Sequence, residues 1–240
     1  MPDNGPAGRL VTRTSVLGQP LDQPSLVDVA TVEIRRSILS GQLRPGQACS
    51  LRGLAGQLGI SFIPVREALR GLEREGLVVI SPGRSALVAP LDPEDLRSLC
   101  QLRRRIEPEL AASACSLITP TDLDAQEHRL DVAGQQGTAP HDRYEAHRDL
   151  LRALLRPSAT AWDLRLLQML WYATERYLRL GLDRLDHAIT QENPTDGLEA
   201  AQHGLLRAFR GRDPQKASLA VLHHVNWAER TATQALAAAI

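Results

Sequence analysis

The amino-acid sequence predicts a mainly α-helical protein with one short β-hairpin. Of its 240 residues, 43% are hydrophobic but only 3% are aromatic, so the core must be filled by aliphatic side chains such as Leu and Ala, which favour helices. Helix-start signals recur at Asp92-Pro93, Thr119-Pro120 and Asp213-Pro214. After Gly76 a strand pattern replaces the helical period. Together these observations indicate packed helices and a single hairpin.

The chain begins with a segment that has no regular pattern. Residues 1–24 carry Gly and Pro without periodicity and are predicted to form a flexible arm. Ser25 is a candidate N-cap, with Asp28 three residues later in the first turn. Apolar residues at spacings of three and four then continue to Ser40. A helix is therefore predicted there, followed by a turn at Pro45-Gly46.

Two short helices joined by a glycine turn come next and predict a helix-turn-helix. The first spans Leu51 to Leu58, and Gly59 can adopt the left-handed conformation that closes it. The Ser61 hydroxyl is predicted to cap the second helix, and Pro64 falls in its first turn, where a missing N–H costs nothing. The buried stripe of that helix is predicted to be Val65, Ala68, Leu69 and Leu72.

The opposite face of this second helix has an unusual composition. It presents Phe62, Ile63, Arg66, Arg70 and Glu73. Exposed apolar residues beside an arginine in the first turn suit a helix that meets base edges and thymine methyls in DNA. An ordinary amphipathic surface helix is the alternative.

A β-hairpin, or wing, is predicted after this helix. Its strands are 77–80 and 86–89, and the turn between them is Ser-Pro-Gly-Arg-Ser. Arg84 and Ser85 at the tip are suited to a phosphate or the minor groove, although such a tip is usually a solvated turn.

The charge of the chain is unevenly divided. The formal net charge is zero, but residues 1–90 hold ten Arg and seven Asp or Glu, which gives 10 − 7 = +3. The remaining residues give 18 − 21 = −3. The sign is the one expected if the N-terminal third meets phosphate.

No apolar run is long enough to span a bilayer, and the first residues lack the apolar centre of a signal peptide. The sequence therefore predicts a cytoplasmic protein that does not associate with membranes.

The rest of the chain is predicted to be an antiparallel helical bundle. Its capping signals and apolar periods place helices at roughly 93–116, 121–133, 142–156, 161–182, 198–211 and 214–237, with loops at 134–140 and 191–197. The predicted organisation is thus an arm at 1–24, a winged helix-turn-helix domain at 25–90 and a helical domain at 91–240.

Several motifs resemble those of a known family. The runs ILSGQLRPG (38–46), LAGQLGIS (54–61) and PVREAL (64–69) resemble the winged helix of GntR-type bacterial repressors. The later runs LRRRIE (102–107), ATERY (173–177) and AFRGRD (208–213) resemble the all-helical effector domain of the FadR branch of that family.

The resemblance implies which residues meet DNA. On the winged helix these are Arg52, Ser61, Phe62, Ile63, Pro64 and Arg66, with Gly83, Arg84 and Ser85 on the wing; Arg70 joins them from the outer face. Phe62 stands where the family often has arginine, and Ser85 where the wing usually has glycine. The operator is therefore expected to differ from those of relatives that use a guanine-binding arginine there.

The resemblance also implies an effector site in the bundle. Many members of this branch hold a divalent metal through an Asp, a His four residues later and two further His, a set suited to a carboxylate ligand. Here His147 stands at the Asp position, Leu151 at the first His, Gln202 at the second and His224 at the third. We therefore expect no metal, although His147 and His224 would be its ligands if one were bound.

Alternatives stay open for these polar residues. His147, Gln202 and His224 are expected to bind an organic ligand by hydrogen bonds, or else to be satisfied core residues without an effector. Arg103 lies one turn from Glu107, so it can form a structural ion pair or meet a carboxylate of the effector.

The function implied by the resemblance is sequence-specific regulation of transcription. The expected protein is a homodimeric repressor that binds an inverted-repeat operator in double-stranded DNA, needs no cofactor and responds to a small effector, a carboxylate. Two alternatives from other classes are a metal-dependent hydrolase that uses His147 and His224, and a protein-interaction module built on the helical bundle.

Overall fold

The computed structural model describes residues 25–80, 86–135, 138, 140–185 and 197–237. Within these residues the fold is mainly helical with one small sheet, as predicted; the predicted arm at 1–24 lies outside them. The helices are α1 Leu26–Leu39, α2 Leu51–Leu58, α3 Phe62–Arg74, α4 Pro93–Ala114, α5 Pro120–Ala133, α6 Pro140–Leu155, α7 Ala161–Leu185, α8 Leu198–Arg210 and α9 Pro214–Ala237. The strands are β1 Ala48–Cys49, β2 Val78–Ile80 and β3 Ala86–Val88.

The first three helices and the sheet enclose one hydrophobic core. The stripe predicted for α3 is confirmed, since all four of its residues are buried. They pack with Ile34 and Ile38 of α1, and with Leu77 and Val88 beside and within the sheet. Full burial of a side chain such as Leu72 stabilises this domain by about 1.5–3 kcal/mol.

The sheet contains one strand more than the predicted hairpin. β3 lies between β1 and β2 and pairs antiparallel with both, so that Leu87 is opposite Ala48 on one side and Val79 on the other. The hairpin is confirmed. β1 was not predicted because two residues are too few to show an alternating pattern.

The capping of α3 differs from the prediction. Ser61 occupies the N-cap position with extended dihedral angles, but its hydroxyl accepts no capping hydrogen bond from the described residues. An N-cap hydroxyl usually accepts from the N–H two or three residues on, and here the third residue is Pro64, which has none. By contrast, Ser50 caps α2 by accepting from the Gly53 N–H at 3.0 Å.

The remaining six helices form the bundle. α9 packs along α4 and α7, while α5, α6 and α8 cover the other side of the core. The six predicted helices are confirmed, but α4 ends at Ala114 and α6 begins at Pro140, two residues earlier in each case than predicted. Most of the second predicted loop lies outside the described residues. In the described part of the chain, no helix is apolar over a length that could cross a membrane.

The turn between α2 and α3 leads to a prediction about two glycines with open space around them. Gly59 has φ = 67°, whereas Gly56 lies inside α2, and a Cβ at either position meets nothing within 4 Å. Gly59→Ala should destabilise the protein by ~1–2 kcal/mol, because an L-residue is strained in the left-handed region. Gly56→Ala should stabilise it by ~0.5–1 kcal/mol through helix propensity. The measurement is the free energy of unfolding of both variants in urea. Changes of the same sign would contradict the left-handed conformation assigned to Gly59.

Candidate nucleic-acid interface and ligand cavity

The outer face of α3 is exposed, as predicted. Phe62 and Ile63 each keep 55% of their surface accessible in the first turn, and Arg66 is exposed beside them. Phe62 and Ile63 form an apolar patch next to Arg66 that is available to contact a partner. Ser61 is exposed next to them with an uncapped hydroxyl, which can donate to a phosphate oxygen.

The arginines on this face share one acidic neighbour. Glu67 Oε1 lies 3.2 Å from Arg70 Nη1 and 3.7 Å from Arg66 Nε. All three side chains are about half exposed, so these pairs are weak and can open when a phosphate or base approaches. Arg52 of α2 is also exposed.

Two other groups of predicted contacts need comment. Pro64 is buried and rigidifies the first turn, and its contact with DNA stays a prediction. Gly83, Arg84 and Ser85 of the wing lie outside the described residues.

A buried ion pair lies inside the bundle. Arg103 Nε donates to Glu107 Oε1 at 2.6 Å and Arg103 Nη2 to Oε2 at 3.3 Å. Arg103 Nη1 also donates to Thr174 Oγ1 at 3.2 Å, and Trp171 Nε1 donates to Glu107 Oε1 at 2.8 Å. The structural ion pair predicted as one role for Arg103 is thus formed, and removal of one partner would cost about 3–5 kcal/mol.

The three polar residues predicted for the effector site lie together next to this ion pair. The Gln202 amide nitrogen is 3.4 Å from His147 Nδ1, and the ring centroids of His147 and His224 are 4.8 Å apart. His224 is only 4% exposed, and neither of its ring nitrogens has a hydrogen-bonding partner among the described residues. A buried polar group without a partner costs about 1–3 kcal/mol, so the site can gain affinity from a ligand that satisfies it.

Two spaces meet at His224. The first is a cavity of about 30 Å³, room for about one water molecule; its polar and aromatic lining includes Arg103, Tyr144, His147, Arg148, Glu175 and His224. The second is a cleft of about 450 Å³ between α8 and α9, lined by Gly197, Gly204, Leu205, His223, His224, Trp227 and Arg230 among others. The cleft is in the size range of small-molecule sites, whereas the cavity is not.

The side chains at this site do not fit the divalent metal that the family resemblance implies. Leu151 is a buried apolar residue where the family pattern has a histidine, and Arg103 and Arg148 bring positive charge to the same cavity. His147 Nδ1 already faces Gln202. In the part of the chain that the structure describes, no three His, Cys, Asp or Glu side chains are grouped to hold a metal ion.

Several residues that line the cavity were not among the predicted site residues. Tyr144 and Arg148 lie on α6, one turn before and one residue after His147, and Thr174 and Glu175 face them from α7. The available signals were proximity to His147 along α6 and the run ATERY (173–177), which contains Thr174 and Glu175. The helical period does not distinguish a polar residue that lines a cavity from one that faces solvent.

A winged helix with an exposed, cationic helix α3, joined to a helical bundle with a buried polar site, defines a class of DNA-binding regulators with a ligand-binding domain. Comparison with family models agrees: the model for bacterial regulatory proteins of the gntR family matches residues 27–88, and the FCD domain model matches residues 98–226. The chain belongs to the GntR family of transcriptional regulators and carries a C-terminal FCD domain. Regulators of this family bind DNA and take effector ligands in the FCD domain.

Individual relatives are more distant. The chain is 28% identical over 165 residues to the uncharacterized HTH-type transcriptional regulator BphR of Paraburkholderia xenovorans, a match that covers 65% of this chain and 67% of that protein. It is 29% identical over 103 residues to the HTH-type transcriptional regulator McbR of Escherichia coli, covering 43% and 47%. These relatives are regulators of transcription, but the matches cover about two thirds of BphR and half of McbR, so nothing further about them transfers directly.

A solved structure confirms the fold. E. coli McbR/YncC superimposes with a TM-score of 0.71 at 22% identity, over 88% of this chain and 99% of that chain. At this level of identity the likeness shows a shared fold and not a shared ligand.

The buried histidines predict an acid-sensitive stability. Burial, followed by the charges of Arg103 and Arg148, lowers the pKa of His147 to about 3, and burial, followed by His147 and Arg103, holds the pKa of His224 well below its usual 6.5. Because the unfolded chain binds protons more tightly, this stability is present above pH 6.5 and decreases as the pH falls below 6.5. The limiting slope is about 1.4 kcal/mol per pH unit for each histidine, and for His147 it extends down to about pH 3.

The measurement is urea unfolding between pH 7 and pH 5. The double variant His147→Gln/His224→Gln should lose this part of the pH dependence, while the exposed His128→Gln should keep it. A double variant with the wild-type slope would show that these histidines are not buried in neutral form.

Proposed function

We propose that this protein is a homodimeric repressor that binds an inverted-repeat operator and is controlled by a small organic carboxylate. Residues 25–90 bind DNA, and residues 91–240 bind the effector and form the dimer. The protein works in the cytoplasm, where bacterial DNA lies. The observation that carries the proposal is the exposed first turn of α3, in which Phe62, Ile63 and Arg66 stand out from a buried core.

The chemistry of this turn suits the major groove. Arg66 can donate two hydrogen bonds to guanine, while Phe62 and Ile63 offer apolar surface to thymine methyls. Ser61 and Arg52, on the flanks, are suited to phosphates, which fix the register of the helix. In a two-fold symmetric dimer the two α3 helices would enter successive major grooves about 34 Å apart.

The effector part of the proposal is supported by the two ring nitrogens of His224, which lack a hydrogen-bonding partner among the described residues. This residue lines the α8–α9 cleft, and a carboxylate there can accept a hydrogen bond from the ring once a buried nitrogen turns towards it. Arg230 and His223 line the same cleft and can supply further donors. The small cavity admits such a ligand only if its walls move, which is the kind of change that couples binding to a second site.

Binding rather than catalysis is the proposed activity. Glu175, which lines the cavity, is paired with Arg148 and Arg179, and Glu107 is paired with the cavity residue Arg103. Carboxylates in such pairs are poorly placed to act as general bases for the two histidines.

The DNA interface is tested with Arg66→Ala. On sequences selected by the wild-type protein from a random pool, this variant should bind about ten- to a hundredfold more weakly, because one bidentate base contact is worth ~1–3 kcal/mol. The control is Arg156→Ala, an exposed arginine just after α6 in the bundle. Equal affinity of Arg66→Ala and wild type in a gel shift at fixed salt would contradict the proposed interface.

The effector class is tested by footprinting the same DNA with citrate, benzoate, glucose and acetyl-CoA. We expect a carboxylate to release the DNA from the wild-type protein, and the uncharged sugar to have no effect. His224→Leu keeps the volume of the site but removes its polar atoms, so it should bind DNA normally and lose the response. Release by glucose alone, or an unchanged response in His224→Leu, would refute the proposed site.

A further inference from the structure

Tyr172 of α7 lies where the bundle meets the winged helix. It packs against the hydrophobic core of the first three helices. Two arginines stack on it: the guanidinium carbon of Arg35 lies 4.7 Å from the ring centroid, and that of Arg148 lies 4.9 Å from it. Arg35 belongs to α1 of the winged helix, whereas Arg148 lines the ligand cavity. One aromatic ring therefore contacts a cation from each domain.

The contact on the DNA-binding side continues to the end of α3. Arg35 makes a bidentate pair with Glu75, with Nε 3.0 Å from Oε2 and Nη2 2.6 Å from Oε1. Glu75 is the C-cap residue of α3. The pair is largely shielded from solvent, so a shift of Arg35 is felt at the helix whose first turn meets DNA.

The contact on the cavity side can be released at low cost. Arg148 Nη1 lies 2.7 Å from Glu175 Oε2, but Glu175 Oε1 also accepts from Arg179 Nη2 at 2.6 Å. If Arg148 turned into the cavity, Glu175 would keep a cation. Arg103 is different, because Glu107 is fully buried. If Arg103 moved away, this carboxylate would lose its positive partner and keep only the hydrogen bond from the Trp171 N–H.

We propose that Arg148 is the cation that meets the effector, and that Tyr172 is the positioning residue that transmits its movement to α3. An anionic group that enters from the α8–α9 cleft at His224, where the cleft and the cavity meet, competes with Tyr172, Glu175 and Glu145 for Arg148. When Arg148 leaves, Tyr172 loses one of its two cations, Arg35 loses a fixed neighbour, and the C-terminal end of α3 loosens. The inference rests on the proposed function for the chemistry of the effector. By linkage, the factor by which the effector weakens DNA binding is also the factor by which DNA weakens effector binding.

The test needs neither effector nor DNA. Hydrogen–deuterium exchange is measured in peptides that cover residues 70–77 of the full chain. Arg148→Met and Tyr172→Leu should each speed exchange there by about two- to fivefold, the factor for a cation–π contact of ~0.5–1 kcal/mol. The double variant should show no more than Tyr172→Leu alone, because that change already removes the contact that Arg148→Met removes.

Two matched controls complete the design. Arg152→Met makes the same substitution one turn further along α6 at an exposed position, and Tyr172→Phe keeps the aromatic ring. Both should exchange like the wild type at 70–77.

Three results would overturn the inference: wild-type exchange in Arg148→Met, additive effects in the double variant, or an equal rise in α5, which would indicate general destabilisation. The outcome is independent of the DNA experiment, so failure of Arg66→Ala to weaken binding and failure of this coupling are separate results.

Discussion

The buried pair of Arg103 and Glu107 is the interaction on which the bundle depends. Two charges in an apolar interior are tolerated only when every donor and acceptor finds a partner, and here Thr174 and Trp171 complete the set. The pair thus holds α4 against α7. Next to this pair, burial, followed by the positive charges of Arg103 and Arg148, lowers the pKa of His147 and keeps it neutral, and the same two arginines disfavour a metal cation.

In the winged-helix domain, the structure depends on helix α3, which has one face in the core and the other in solvent. α3 buries Leu72 and its neighbours while it leaves Phe62 and Ile63 in water. The buried half stabilises the domain, and the exposed first turn is available to a partner. Pro64 rigidifies the first turn of α3, next to Phe62 and Ile63. It has no N–H to donate to the Ser61 hydroxyl, which is free to contact a phosphate oxygen.

How much the sequence could predict depends on the range of the interactions involved. Capped helix starts and apolar periods are local, so the ends of the helices were predicted to within about three residues. The failure at Ser61 was also local and could have been avoided, since the proline three residues on removes the N–H that a cap needs. Arg148 and Tyr172 escaped prediction for another reason: their roles arise from residues 24 positions apart or more, on three helices.

The sequence by itself determined the class of protein, because family motifs, stripes and caps are written in neighbouring residues. It also identified His147, Gln202 and His224 as candidates through their positions in a known pattern. Only the tertiary structure decided what these residues can do. The chain brings His224 into the bundle without a hydrogen-bonding partner among the described residues and pairs Arg103 internally. It also places one tyrosine between cations of two domains. Such properties depend on burial and on distances between remote segments, which no local pattern records.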